Sequence, residues 1–392
     1  MTFDLRTIYA MTALACVILG GVQCAAFFTG RFGRWLAWWS VNNILLGLAS
    51  LLIVLRGIAP DFISVEVGNT LTIVGSALLP LAIREFAGRK TALWVVLLMA
   101  GLPSLPYFLI ITDPSQSMPR IVFSSAVCAL YDMIVAWETR RLAREEKLYS
   151  AELASGLFAL TATLYAARAL MGWWGSLGGG PLFQNGDQMH AALGLVTMLL
   201  LTLRCMVIMM MATERTQLQL ENAAYHDPLT GVLNRAGLSR AFFSPTGSSA
   251  GRPLAALLID VDHFKQLNDS CGHAMGDEVL RIFAAAAHRT VRGDDLIGRH
   301  GGDEFVVVLR DTSLERAVTV AEGIRYAFAD SMAALACDCS VNPTLSIGVA
   351  GSQPDAGETL EAILHRADQA LYRRKRHGRD GVDVFSEALQ AA

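Results

Sequence analysis

The chain has 392 residues, 53% of them hydrophobic and only 17% charged, and its mean hydropathy is +0.41. That balance excludes an ordinary soluble protein, and a net charge of −3 supplies no basic field to attract a nucleic acid. The apolar excess lies before residue 213, so a membrane half precedes a soluble half.

Apolar runs near 7–28, 35–55, 64–83, 92–112, 121–137, 153–174 and 189–211 each approach the ~20 residues that a bilayer crossing needs. They predict an all-α membrane bundle of about seven transmembrane helices over residues 1–212. Glu66 trims the outer end of the third run, and Pro80 lies inside it. Seven crossings put the termini on opposite sides of the lipid bilayer, and the loop charges choose which. One set of loops holds Arg31, Arg34, Arg84, Arg89, Lys90, Arg140, Arg141, Arg144 and Lys147; the other, with the N-terminus, holds only Arg6, Arg56 and Arg120. Positive loops stay inside. The expected arrangement is a multi-pass protein of the bacterial inner membrane, N-terminus outside and second half in the cytoplasm. Met1 to Arg6 sets Asp4 against Arg6, unlike the basic start of a cleaved leader, so the first run is read as a retained span.

Asp132, Arg168 and Arg204 fall inside spans, where charges are expensive and usually face the bundle interior with a partner. Asp132 lies about five residues and Arg204 about seven from the cytoplasmic ends of their spans, so at ~1.5 Å per residue their depths match. An ion pair is the expected outcome. Arg168 lies toward the outer face, open to snorkelling or to an external ligand. Cys16, Cys24, Cys128 and Cys205 in the spans, and Cys271, Cys337 and Cys339 beyond them, form no Cys-x-x-Cys framework. In a reducing compartment they read as packing thiols, neither disulfides nor zinc ligands.

Residues 213–225 contain no Gly or Pro and favour a helical linker continuous with the last span. Met211, Leu218 and Tyr225 recur every seven residues with Arg215 and Asn222 between them, a short and imperfect coiled-coil seam. Ser244 to Gly251 reads as a surface loop. Next, Leu254 to Ile259 is an apolar run ending in Asp260 and Asp262, whose spacing lets both acids share one face of a strand end. The run breaks into His263-Phe264-Lys265-Gln266-Leu267-Asn268-Asp269, which opens a helix. Backbone N–H groups at such a turn, with Lys265, suit a polyphosphate. A helix cap is the plainer reading of Asp262.

Farther on, Leu296 to Arg299 and Phe305 to Leu309 flank Gly301-Gly302-Asp303-Glu304. The segment reads as a β-hairpin with two carboxylates at its tip. Carboxylates held there suit Mg²⁺, a hard cation that shares its oxygen ligands with substrate phosphates. Taken alone, the turn reads as a solvated hairpin.

Six blocks in order change that balance. They are Asp227-Pro228-Leu229-Thr230-Gly231-Val232-Leu233-Asn234-Arg235; Asp260-Val261-Asp262-His263-Phe264-Lys265; Asn268-Asp269 with Gly272-His273-Ala274-Met275-Gly276-Asp277; Gly301 to Phe305; Leu345 to Ala350; and Ala367 to Arg379. Over residues 222–387 the chain resembles the GGDEF-domain family of diguanylate cyclases. The resemblance implies a cytoplasmic α/β domain at 226–387 with a mostly antiparallel central sheet, like nucleotide cyclases and polymerase palms. It implies condensation of two GTP into cyclic di-GMP with release of two pyrophosphates, in a homodimer formed through the cyclase domain and linker.

By the same match, Asp260, the Val261 carbonyl, Asp303 and Glu304 hold Mg²⁺, with Mn²⁺ as a substitute. Asp303, Glu304 and Lys265 are the catalytic set, one hairpin acid helping to deprotonate the 3′-hydroxyl. His263, Phe264, Lys265, Lys375 and Arg379 line the triphosphate, and Asn268 and Asp277 read guanine. The chemistry agrees: a carboxylate accepts from the N1–H and amino group of guanine, whereas adenine has no N1–H. Arg292 and Asp295 match the family's inhibitory product site, where arginine pairs guanine and phosphate.

Two rivals stand beside this reading. One is a degenerate domain that binds nucleotide and makes nothing, against which the intact Asp260, Lys265, Asp277, Asp303 and Glu304 speak. The other is a transporter with a regulatory domain, which internal symmetry of broken helices would support; the sequence shows none.

Overall fold

The computed structural model describes residues 4–111, 113, 117–175, 188–243, 253–335, 341–352 and 358–386, in two compact units, 1–216 and 217–392. The loop expected at 244–251 and the pair Cys337 and Cys339 lie outside the described residues.

The first unit is helical: α1 (Leu5–Phe28), α2 (Arg34–Val54), α3 (Gly68–Phe86), α4 (Leu93–Gly101), α5 (Pro106–Leu109), α6 (Ser117–Glu146), α7 (Tyr149–Trp173) and α8 (Gln188–Tyr225). Among the described residues six helical stretches are long and apolar enough to cross a membrane, α3 counting with the π-helical turn Phe62–Val67 before it. The span expected at 92–112 is not among them. Pro103 and Pro106 each remove a backbone donor and break the ladder, leaving α4, a 3₁₀ turn at Leu102–Ser104, and α5. These pieces run antiparallel to α6. The Tyr131 hydroxyl donates to the Met99 carbonyl, and Tyr107 meets Phe123 edge-on at 5.6 Å.

Ion pairs mark the two ends of this unit. At one end Arg84 and Arg89 both bind the buried Glu138, and Arg89 reaches Glu145 at 2.6 Å. At the other, Arg120 donates to the Ile111 carbonyl at 2.9 Å and faces Glu66 at 4.0 Å. Asp132 and Arg204 meet between the ends at 3.0 Å, and Thr161 donates to the same carboxylate at 2.7 Å. The core packs Trp35, Trp39, Phe86 and Phe158 with Met211 and Ala212. Met211 is therefore spent inside the bundle, not on the expected seam, while Leu218 stays exposed. Arg215 is likewise engaged locally, with Glu146 at 2.7 Å and the Phe86 carbonyl.

The second unit comprises β1 (Leu233–Asn234), α9 (Arg235–Phe243), β2 (Leu254–Val261), α10 (Phe264–Cys271), α11 (His273–Thr290), β3 (Leu296–Gly301), β4 (Glu304–Arg310), α12 (Leu314–Ala333), β5 (Leu345–Gly351), α13 (Leu360–Arg376) and β6 (Gly381–Val384). The six strands form one sheet in the order β1-β3-β4-β2-β5-β6. It is a mixed sheet, antiparallel at its centre and parallel at both edges. β3, β4, β2 and β5 pair antiparallel, but β1 joins β3 and β6 joins β5 in parallel.

Every residue of β2 is buried. A strand alternates its side chains, so Ala255, Leu257 and Ile259 pack with α11 and α12, while Ala256 and Leu258 pack with α9 and α13. A strand covered on both faces reads as a continuous apolar run, and its end is where Asp260 sits.

Candidate active site

Asp260 closes β2 with β4 on one side and β5 on the other, in register with Glu304 and Ser346. Paired residues share a face, so Glu304 and Asp260 lie side by side. The Val261 amide donates to the Asp303 carbonyl at 3.4 Å, tying the hairpin tip to the end of β2. The Asp260 carboxyl is raised to about 6, chiefly by burial, with the Lys375 ammonium at 2.6 Å opposing the rise and Asp303 and Asp262 adding to it. Among the described residues no three His, Cys, Asp or Glu side chains converge closely enough to enclose a metal. The donors nonetheless fit one. They are hard oxygens at a strand end, and Lys375 already places a cation on Asp260.

Asp262 is neither an exposed acid nor a helix cap. It is 1% exposed and accepts from Thr344 and Ser346 at 2.8 Å and from the Asp380 amide at 3.1 Å. Its role is to anchor the turn after α13, where Arg379 lies 3.8 Å away. Gly348 fixes the helix itself: a Cβ there would stand 2.0 Å from the Ala367 carbonyl oxygen and 2.4 Å from the Leu371 nitrogen. Backbone thus lies on backbone, and this close seat sets where the last turn of α13, with Lys375, reaches Asp260.

His263 enters α10 in the left-handed region, φ 61°, and its ring meets Gln266 at 3.0 Å. A non-glycine residue held there is strained, as residues at ligand clamps are. Phe264 is half-buried and Lys265 is exposed beside it. Asn268 faces α11, where a Cβ on Gly276 would strike its Oδ1 at 2.0 Å. That oxygen is buried and has no hydrogen-bond partner among the described residues. Asp277 follows on α11, half-buried.

The segment Arg292 to Asp295 is a closed turn. Asp295 accepts from the Arg292 and Arg310 amides at 2.9 and 3.1 Å, leaving the Arg292 side chain exposed. Cys271 is disulfide-bonded, its partner lying outside the described residues, which corrects the reading of it as a thiol.

Sequence reasoning missed a clamp. Arg299 donates to both Asp227 oxygens at 3.1 Å and to the Gly302 carbonyl at 2.9 and 2.6 Å. It ties the first motif to the hairpin tip; the only prior signal was Arg299 standing next to the turn. Burial alone would raise the Asp227 carboxyl, but donors from Thr230 and Arg299 hold it below the ordinary 3.8. The clamp is therefore complete above that pH and is lost as pH falls through the lower folded-state value. Asp227→Asn is expected to destabilise residues 217–392 by about 1–3 kcal/mol at pH 7. In urea unfolding the gap from the parent should shrink toward pH 3; an equal gap at both pH values would reject the clamp.

Residues 224–381 match the family profile "Diguanylate cyclase, GGDEF domain". The response regulator PleD of Caulobacter vibrioides is 43% identical over 162 residues, 41% of this chain and 36% of that protein. The diguanylate cyclase DgcM of Escherichia coli K12 is 40% identical over 184 residues, 45% of this chain and 42% of that one. The chain thus spans roughly two fifths of the length of these curated relatives. Among solved structures, the GGDEF domain of TpbB (YfiN) from Pseudomonas aeruginosa is 38% identical, covering 42% of this chain and 99% of that one, with TM-score 0.36.

Proposed function

This chain belongs to the GGDEF family of diguanylate cyclases, and on that premise we propose that it condenses two GTP into cyclic di-GMP and two pyrophosphates. The observation that carries the reading is the junction of Asp260 with the hairpin acids, bordered by Lys375. Asp260, Asp303, Glu304 and the Val261 carbonyl would hold Mg²⁺ or Mn²⁺, which when bound supplies Lewis-acid stabilisation of the reacting phosphate. Lys265, Lys375 and Arg379 neutralise the triphosphate, and the α10 entry at His263 and Phe264 offers backbone amides to it. Asp303 takes up the proton of the attacking 3′-hydroxyl. The orphaned Asn268 carbonyl and Asp277 accept from guanine, and adenine cannot supply those donors.

One domain binds one GTP, so two chains must meet, and a two-fold product suits a two-fold dimer. We assign the helical unit to the inner membrane. The end bearing Arg84, Arg89 and Arg141 lies toward the cytoplasm, the N-terminus lies outside, and the broken 93–109 segment makes a seventh crossing. The test is incubation of the full-length protein with Mg²⁺ and GTP or ATP, products separated by chromatography. Cyclic di-GMP from GTP alone is expected; nucleotide binding without product at concentrations that dimerise would favour the receptor reading.

Arg292 is free to reach a ligand while Asp295 holds its turn closed. Arg292→Ala is expected to relieve product inhibition at least tenfold with little change in initial rate. Unchanged inhibition would return Arg292 to ordinary surface charge.

A further inference from the structure

Within the helical unit, α1, α2, α3, α6, α7 and α8 enclose a cavity of about 160 Å³. Among the described residues its wall carries four guanidinium groups, from Arg56, Arg120, Arg168 and Arg204, but a single carboxylate, Asp132. Asp132 is already committed to Arg204 and Thr161. Arg120 faces Glu66 at 4.0 Å. Among the described residues Arg56 donates to neutral oxygens, the Ser64 carbonyl at 3.3 Å and Asn69 Oδ1 at 3.2 Å. Neither Arg56 nor Arg168 meets a carboxylate among the described residues.

Three polar groups on the wall are buried and unpartnered among the described residues: Arg168 Nε, Asn69 Nδ2 and the Ser125 hydroxyl. Two of these only donate, and the third can. Water would satisfy a donor, but it would not neutralise fixed positive charge inside a bundle, where an unpaired guanidinium is costly. What Arg56 and Arg168 lack among the described residues is an anionic acceptor. The rest of the wall mixes hydroxyl and amide side chains, such as Thr12, Asn42, Ser50 and Thr72, with apolar ones that include Leu46, Leu79, Ile121 and Leu201.

We propose that this cavity binds a small organic anion. Its carboxylate or phosphate head would be held by Arg168 and Arg56 with donors from Asn69 and Ser125, and its short apolar body would lie against the leucines. The volume is well below that of a drug-sized pocket, which suits a small soluble molecule and not a two-chain lipid.

The proposal is tested on the full-length protein in phosphatidylcholine nanodiscs. All seven tryptophans precede residue 175, so thermal unfolding followed by tryptophan fluorescence reports the helical unit, independently of cyclase activity. Octanoate, hexyl phosphate and neutral hexanol are titrated. A saturable rise in the transition is expected with octanoate or hexyl phosphate and not with hexanol. Arg168→Gln is expected to raise the half-saturating concentration at least tenfold, Ser125→Ala severalfold, and exposed Arg141→Gln not at all. No saturable rise with either organic anion would overturn the proposal. So would an equal rise with hexanol, or unchanged half-saturation in the folded Arg168 or Ser125 variant. A response only when phosphatidylglycerol replaces the neutral lipid would reject the small-molecule assignment in favour of a headgroup.

Discussion

Glu304→Ala and Asp303→Ala are each expected to lower cyclic di-GMP turnover by at least ~10³-fold, about 4 kcal/mol of transition-state stabilisation. The structure explains why the loss should be confined to chemistry. Glu304 and Asp303 are half-buried at the hairpin tip, whereas the core beneath them is built by Phe305, Phe283 and Phe328. Removing a partly exposed carboxylate there should change unfolding free energy by less than about 1 kcal/mol. Steady-state turnover and urea unfolding of the same preparations separate the two effects. Activity retained in both variants would remove the hairpin from the site. An unfolded variant would instead mean that the tip carries more of the fold than its contacts indicate.

The second large effect belongs to the helical unit. Asp132 is 5% exposed, and Arg204 binds both its oxygens at 3.0 Å while lying over the Phe158 ring at 4.2 Å. Neutralising either partner leaves a buried charge uncompensated, at a cost of about 3–5 kcal/mol. Asp132→Asn and Arg204→Gln should each lower the thermal transition of the full-length protein markedly. The double variant should be less harmed than the sum of the two. Exchanging the charges should restore part of the loss, since the pair returns but the guanidinium leaves Phe158. Additive effects with no recovery on exchange would show two independent residues.

Much of the site is legible because strand ends and turns are local. The all-apolar run before Asp260 identifies a strand buried on both faces, and two glycines before two acids identify a hairpin tip. Depth matching along two helices puts Asp132 and Arg204 at one level, where their side chains meet. What escapes is what depends on distant partners. Nothing local links Arg299 to Asp227, or Asp262 to Thr344, Ser346 and Asp380, because these contacts arise only when the sheet assembles. β1 and β6 pair over two and four residues, too few for alternation to show, so the parallel edges were invisible. A hydropathy count of residues 92–112 sees apolar length but not the two missing amide donors of Pro103 and Pro106. The seven-residue spacing of Met211, Leu218 and Tyr225 fits a seam and a bundle core equally well, and burial assigns Met211 to the core.

If the helical unit crosses a bilayer as proposed, the interrupted segment also bears on the surrounding lipid. From Leu93 to Leu109 a crossing rises only about 25 Å even if treated as continuous helix, short of the ~30 Å hydrocarbon thickness. α6 and α7, with 30 and 25 residues, exceed that thickness easily. On that placement a bundle with one short flank would meet the bilayer unevenly, and the acyl chains beside α4 and α5 would compress to cover it. This protein should therefore favour thinner membranes, and lengthening the lipid chains should strain it first at Pro103 and Pro106.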